Sequence, residues 1–151
     1  MSREMNMEKL GKAGEFIISN ACTKAGQKVI LSEDQYDSKK DMIIDGLRVE
    51  VKTQVPFVYK NAFTFKPNQL KKCLSVDRVI FISVPNEKIA HHSDGKVYII
   101  KPDEMKYSKY RTKDGRDMIL IPINQPAMKE IYVLSPKQRK MLQQYSVSSW
   151  N

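Results

Sequence analysis

Apolar residues recur at helical spacing near the start of the chain. Leu10, Ala13, Ile17, Ala21 and Ala25 stand three or four residues apart, which predicts an amphipathic helix over 7–25 with Gly26 as its stop. Gly11 and Gly14 each weaken such a helix by roughly 1 kcal/mol relative to Ala. They point to close approach by a neighbouring element or by a sugar-phosphate backbone. A short strand over 28–31 and a polar connection over 32–40 follow. The period then changes to two. Residues 41–54 read DMII, DG, LRVEVKTQ, and Asp45-Gly46 between two apolar runs is a strong signal for a type I′ hairpin whose second strand runs over 47–55.

Closing that turn on Ile44 and Leu47 makes residues 48, 49 and 50 the partners of 43, 42 and 41, so Asp41 lies opposite Glu50. Partners directly across a ladder have Cβ atoms roughly 5 Å apart, close enough for two carboxylates to share one ion. Strand alternation puts Glu50, Lys52 and Gln54 on one face, with Val49, Val51 and Thr53 on the other. A slip of one residue would separate the acids.

Pro56 interrupts the pattern, and 57–65 carries Tyr59, Lys60 and Asn61 between aromatics. Phe57, Phe63 and Phe65 read as core, or the loop around Lys60 faces DNA. A short helix over 67–74 has Pro67 in its first turn and Gln69, Lys71 and Lys72 on a polar, basic side. Strands are expected over 78–84, 97–100 and 118–123. Between the last two lies a basic stretch with Lys106, Tyr107, Lys109, Tyr110, Arg111, Lys113 and Arg116, read as phosphate-contacting or as a solvated loop. A last helix starts after Ser135 as cap, with Pro136 at its first position and Met141 and Leu142 inward. His91 and His92 read as a surface loop, their adjacency pointing the side chains apart. The order of elements predicts an α/β fold, one mixed β-sheet flanked by helices, in a single domain over 1–151.

Composition narrows the class. The 151 residues are 41% apolar, and no run of about 18 apolar residues offers a membrane span. Cys22 and Cys73 are isolated, which argues against a zinc site or a disulfide framework. The polar N-terminus with Glu4 and Glu8 is unlike a secretory signal, so a cytoplasmic protein is expected. Net charge is +9, from 26 Lys and Arg against 17 Asp and Glu, which favours a polyanionic partner.

That charge gives the hairpin a sharper meaning. Opposed carboxylates repel unless a cation offsets them, and an all-oxygen set favours Mg²⁺. Lys52 on the same face would position an attacking water and offset charge building on a phosphoryl group, and Gln54 would hydrogen-bond that water or a phosphate oxygen. The bland alternative is a salt-bridge ladder of Asp41, Glu50 and Lys52 on a solvated face.

An acid before a hairpin, then Glu50-Val51-Lys52 on its second strand, resembles the PD-(D/E)XK nuclease superfamily. The resemblance covers roughly residues 8–54, and the helix and strand over 67–84 are consistent with the common core. It carries Asp41 to the first acid, Glu50 to the second and Lys52 to the lysine. Glu15, in Gly11-Lys12-Ala13-Gly14-Glu15, resembles the helix-borne acid of several branches. Lys40 stands where the motif has its proline, and Asp37 is a rival first acid.

The resemblance implies a restriction-endonuclease-like core, with Mg²⁺ held by Asp41, Glu50 and Glu15. It also implies hydrolysis of double-stranded DNA by a homodimer or higher symmetric oligomer, in the manner of a compact homing endonuclease or a structure-specific resolvase. Lys60, Lys71, Lys72, Lys106, Lys109, Arg111, Lys113 and Arg116 would then contact DNA, and the protein would be nucleoid-associated. The competing expectations are a non-catalytic basic DNA-binding or assembly protein, and an RNA nuclease.

Overall fold

The computed structural model describes residues 3–31 and 42–147. The opening helix α1 (Arg3–Lys24) ends where Gly26 takes φ +85°. There the Gln27 amide donates to the Cys22 carbonyl at 3.0 Å and the Gly26 amide to the Thr23 carbonyl at 3.0 Å, a paired closure that needs a left-handed residue. Strands β1 (Val29–Ile30), β2 (Met42–Ile44) and β3 (Leu47–Gln54) form an antiparallel meander.

The hairpin has the register read from the sequence: Ile44 pairs with Leu47, Ile43 with Arg48 and Met42 with Val49. Asp45 and Gly46 take φ +48° and +82°, as a type I′ turn requires. Asp45 also fixes β1, since its Oδ1 accepts the Lys28 amide at 2.9 Å and its own amide donates to the Lys28 carbonyl. Asp41 and Asp37 lie outside the described residues.

After β3 the chain leaves the sheet through β4 (Ala62–Phe65) and α2 (Pro67–Leu74), then returns as β5 (Arg78–Ser83), parallel to β3. Asp77 sets that parallel register, accepting the Arg48 amide at 2.8 Å and donating its own amide to the Arg48 carbonyl. Strand β6 (Lys96–Ile100) continues the sheet antiparallel, and β9 (Lys129–Val133) forms its edge. The order β1-β2-β3-β5-β6-β9 is therefore a mixed sheet with one parallel pair, flanked by helices as the sequence predicts. To it the protein adds a second sheet, ordered β4-β8-β7, from β7 (Ser108–Arg111) and β8 (Asp117–Pro122).

Two cores sit on the two faces of the mixed sheet. On one, Val49, Ile80, Ile82 and Val97 pack with Leu10, Ile17 and Ile18 of α1 and Leu142 of α3 (Pro136–Val147). On the other, Val79, Phe81, Tyr98 and Ile100 pack with Phe63, Phe65, Ile119 and Ile121 of the second sheet and Cys73 of α2. Phe63 and Phe81 stack with centroids 4.6 Å apart, so two of the three phenylalanines read as core are core and Phe57 is only half-buried. Helix α3 is capped as expected: Ser135 Oγ accepts the Gln138 amide and Gln138 Oε1 accepts the Ser135 amide, a reciprocal capping box.

Candidate functional site

Strand β3 is central in its half of the sheet, bonded to β2 on one side and β5 on the other, so its side chains project from a backbone held on both edges. Its alternation divides them as expected. Val49, Val51 and Thr53 turn toward α1, where a Cβ at Gly14 would overlap the Thr53 hydroxyl. The close-approach reading of Gly14 therefore holds for a neighbouring element, whereas Gly11 faces open space.

Glu50 and Lys52 project under α2. Proline at the first position of α2 starts the helix, and Leu70 and Cys73 pack into the core. Gln69 and Lys72, three residues apart on one side, meet β3. Lys52 Nζ donates to Gln69 Oε1 at 2.8 Å and lies 3.5 Å from Glu50 Oε1. Lys72 Nζ lies 3.5 Å from Glu50 Oε2.

Glu50 is only 7% exposed, and its Oε2 is buried without a hydrogen bond. Each ammonium at that range attracts the carboxylate by roughly 4–5 kcal/mol at an effective dielectric of about 20, much of it offset by desolvation. One carboxylate against two ammonium groups leaves the cluster with a net charge of +1. Behind it, burial pushes the Cys73 thiol up to about 11, with Glu50 raising it further and Lys52 and Lys72 opposing. Cys73 is thus a protonated core residue.

A buried carboxylate oxygen without a hydrogen bond has the donor chemistry of a hard-cation ligand, but Lys52 and Lys72 already give this cluster a net positive charge that opposes one. The other proposed ligands are differently placed. Asp41 lies outside the described residues, and Glu15 is exposed on α1, the helix covering the face of β3 opposite to Glu50. Among the described residues no three His, Cys, Asp or Glu side chains group as a metal site.

Gln54 has another role from the one expected. Its Nε2 donates to the Thr64 carbonyl and its Oε1 accepts the Thr64 amide, both at 2.7 Å, so the whole amide ties the mixed sheet to β4 of the second sheet. Lys72, expected to contact DNA, meets Glu50 directly, while Lys71 is exposed on the same helix. In the sequence Gln69 stands out only as a polar residue of α2. The signal that could have exposed it was the spacing with Lys72 on a helix whose other side is apolar.

The basic stretch over 106–116 is largely the β7–β8 hairpin. Lys106, Lys109 and Lys113 are exposed there. Arg111 pairs with Asp117 at 3.3 Å and Arg116 with Asp114 at 2.9 Å, which leaves these two arginines partly neutralised. Lys60 is exposed, its Nζ 5.4 Å from the centre of the Tyr110 ring. His91 and His92 do not point apart: their rings lie 4.1 Å from each other. Each has a polar partner, His91 Nδ1 meeting Ser93 Oγ at 2.7 Å and the exposed His92 meeting Asn61 Oδ1 through Nε2 at 2.8 Å.

Compared with models of known protein families the chain matches none, and a search of curated proteins returns no match. Among the described residues no helix is long and apolar enough to cross a membrane.

Proposed function

We propose that the protein is a Mg²⁺-dependent endonuclease that hydrolyses DNA phosphodiester bonds. The observation that carries this reading is Glu50, a buried carboxylate with one oxygen free of hydrogen bonds, set between the ammonium groups of Lys52 and Lys72. The PD-(D/E)XK resemblance of residues 8–54 supports the same reading, and α1 and the meander, followed after β4 by α2 and the parallel strand β5, are elements such a core would use. Net charge of +9 suits the substrate.

Glu50, with Asp41 from the start of the hairpin, would hold the ion, while Glu15 lies on the helix over the opposite face of β3. Bound there, Mg²⁺ supplies Lewis-acid polarisation of the phosphodiester and acidifies water. The protein's own groups do the rest. Gln69 holds Lys52 so that its ammonium is aimed rather than free to wander, which suits orienting the water and offsetting charge on the phosphoryl oxygens. Lys72 balances Glu50 and adds positive charge on the helix side of the site. A symmetric homodimer would supply one such centre for each strand of a duplex.

The test is incubation of purified protein with duplex and branched DNA, with and without Mg²⁺. Metal-dependent cleavage is expected, falling by about 10³-fold in Glu50→Ala, the scale of removing a group that holds several kcal/mol of transition-state stabilisation. Absence of cleavage on every substrate, or an unchanged rate in the variant, overturns the reading. One observation favours a second reading, a non-catalytic basic DNA-binding protein: two lysines already balance Glu50 without any metal. That reading expects salt-dependent binding indifferent to Mg²⁺.

A further inference from the structure

Tyr59 is 82% exposed, more than any other large apolar side chain among the described residues. Its neighbours do not share that freedom. It stands on the short 3-10 turn Val58–Lys60, which Asn61 closes in the left-handed conformation at φ +49°. The turn is held from four sides. Phe57 and Ala62 exchange backbone hydrogen bonds at 2.9 and 3.3 Å across its base, and the Ile123 amide beyond β8 donates to the Asn61 carbonyl at 3.0 Å. His92 Nε2 meets Asn61 Oδ1, and Phe57 packs edge-on against Tyr110 of β7 with centroids 5.8 Å apart.

A turn held so firmly loses little further freedom when its tip meets a partner, and what it presents is one aromatic ring. The turn carries a cation beside the ring: Lys60 leans over the Tyr110 ring and takes part in no ion pair among the described residues. No acid occurs in 57–62 or in Ser108–Arg111.

From the exposed ring on a firmly held turn and the cation beside it we infer that Tyr59 is a stacking platform for an unpaired base of the nucleic-acid partner, with Lys60 on a flanking phosphate. Base faces are covered inside an intact duplex, so the partner has a base out of the stack, as at a bulge, a branch point or a single-stranded stretch. The inference rests on the nucleic-acid part of the function proposed above, not on cleavage.

The test uses the full chain in EDTA and two DNA probes of equal length, one fully paired and one with a single bulged 2-aminopurine. Binding is followed by anisotropy and the bulged base by its fluorescence. The wild type is expected to prefer the bulged probe and to quench the reporter. Tyr59→Ala loses about ten-fold or more in affinity for the bulged probe, the scale of one aromatic–base stack. Tyr59→Phe retains both preference and quenching. The salt slope is unchanged in Tyr59→Ala and shallower in Lys60→Ala.

Equal wild-type affinity for the two probes, or a Tyr59→Ala protein that keeps preference and quenching, overturns the inference. Absence of binding to either probe overturns it together with the nucleic-acid reading. Bulge-selective binding without Mg²⁺-dependent cleavage upholds it and removes only the nuclease.

Discussion

On one face of β3, Val49, Val51 and Thr53 meet α1 so closely that Gly14 has no room for a methyl group. On the other, Glu50, Lys52 and Gln54 meet α2 and the second sheet through ion pairs and hydrogen bonds. Both faces are covered, and the α1 side is apolar except for the Thr53 hydroxyl, which is buried without a hydrogen bond. An apolar face needs shape alone, whereas a covered polar face needs a partner for every group, and Glu50 Oε2 lacks a hydrogen bond. On the polar face the shortfall falls on Glu50, whereas both ends of the Gln54 amide are bonded.

The contrast can be broken from either side. The largest effect is expected from Lys52→Met, which keeps much of the side chain's bulk and removes the ammonium aimed by Gln69. DNA cleavage should fall by about 10²–10³-fold, the range for losing one preorganised electrostatic group. The urea midpoint should also fall, because Glu50 and Gln69 each lose a partner, so cleavage is compared per folded molecule, and a variant that cleaves at the wild-type rate would falsify the role given to Lys52.

Gln54→Ala probes the same face as structure. It strands both the Thr64 amide and its carbonyl and should cost about 2–3 kcal/mol in urea unfolding. Cleavage per folded molecule should be retained, because the amide is committed to β4. A loss of activity without loss of stability would return Gln54 to the site.

Gly14→Ala tests the apolar face. Overlap with Thr53 should cost about 1–2 kcal/mol even though Ala is the better helix former, and Thr53→Ala should recover part of it. Additive losses in the double-mutant cycle would mean that the two residues do not meet.

The smallest effect at neutral pH belongs to Cys73. Its folded thiol stays protonated up to about 11, while the unfolded thiol ionises near the ordinary value of 9.0. Below pH 9 this adds no pH dependence. From pH 9 to about 11 the unfolded state loses protons that the folded state keeps, so stability falls as pH rises. Urea midpoints across that window should decline more in the wild type than in Cys73→Ala, and parallel declines would show that the thiol is not held by the core.

Much of the fold was legible because its signals are local. Asp45-Gly46 demands positive φ at two successive residues, and a two-residue turn then dictates the register of β2 and β3. Pro67 and Ser135-Pro136 mark helix starts by the donor that proline lacks and the cap that serine supplies. Strands β7 and β9 were not legible. All five side chains of β9 are exposed, so it lacks the alternation by which a strand is read, and Ile131 is an extra residue in a bulge. Strand β7 is the edge of a small sheet whose third member, β4, lies far back in the chain, and its sequence looks like a basic loop.

The candidate site divides in the same way. The alternation of Glu50, Lys52 and Gln54 along β3 follows from backbone geometry over a few residues, and the sequence determined it alone. Whether that face would be solvated or covered depended on where the chain went after Gln54. Packing decided it: Phe63 stacks on Phe81 and Cys73 enters the same core, which brings α2 down over β3. Only then do Gln69 and Lys72, 17 and 22 residues from their partners, reach Lys52 and Glu50, while Thr64 claims Gln54. Local periodicity chooses the side on which a residue points, and long-range burial of apolar surface chooses what it meets there.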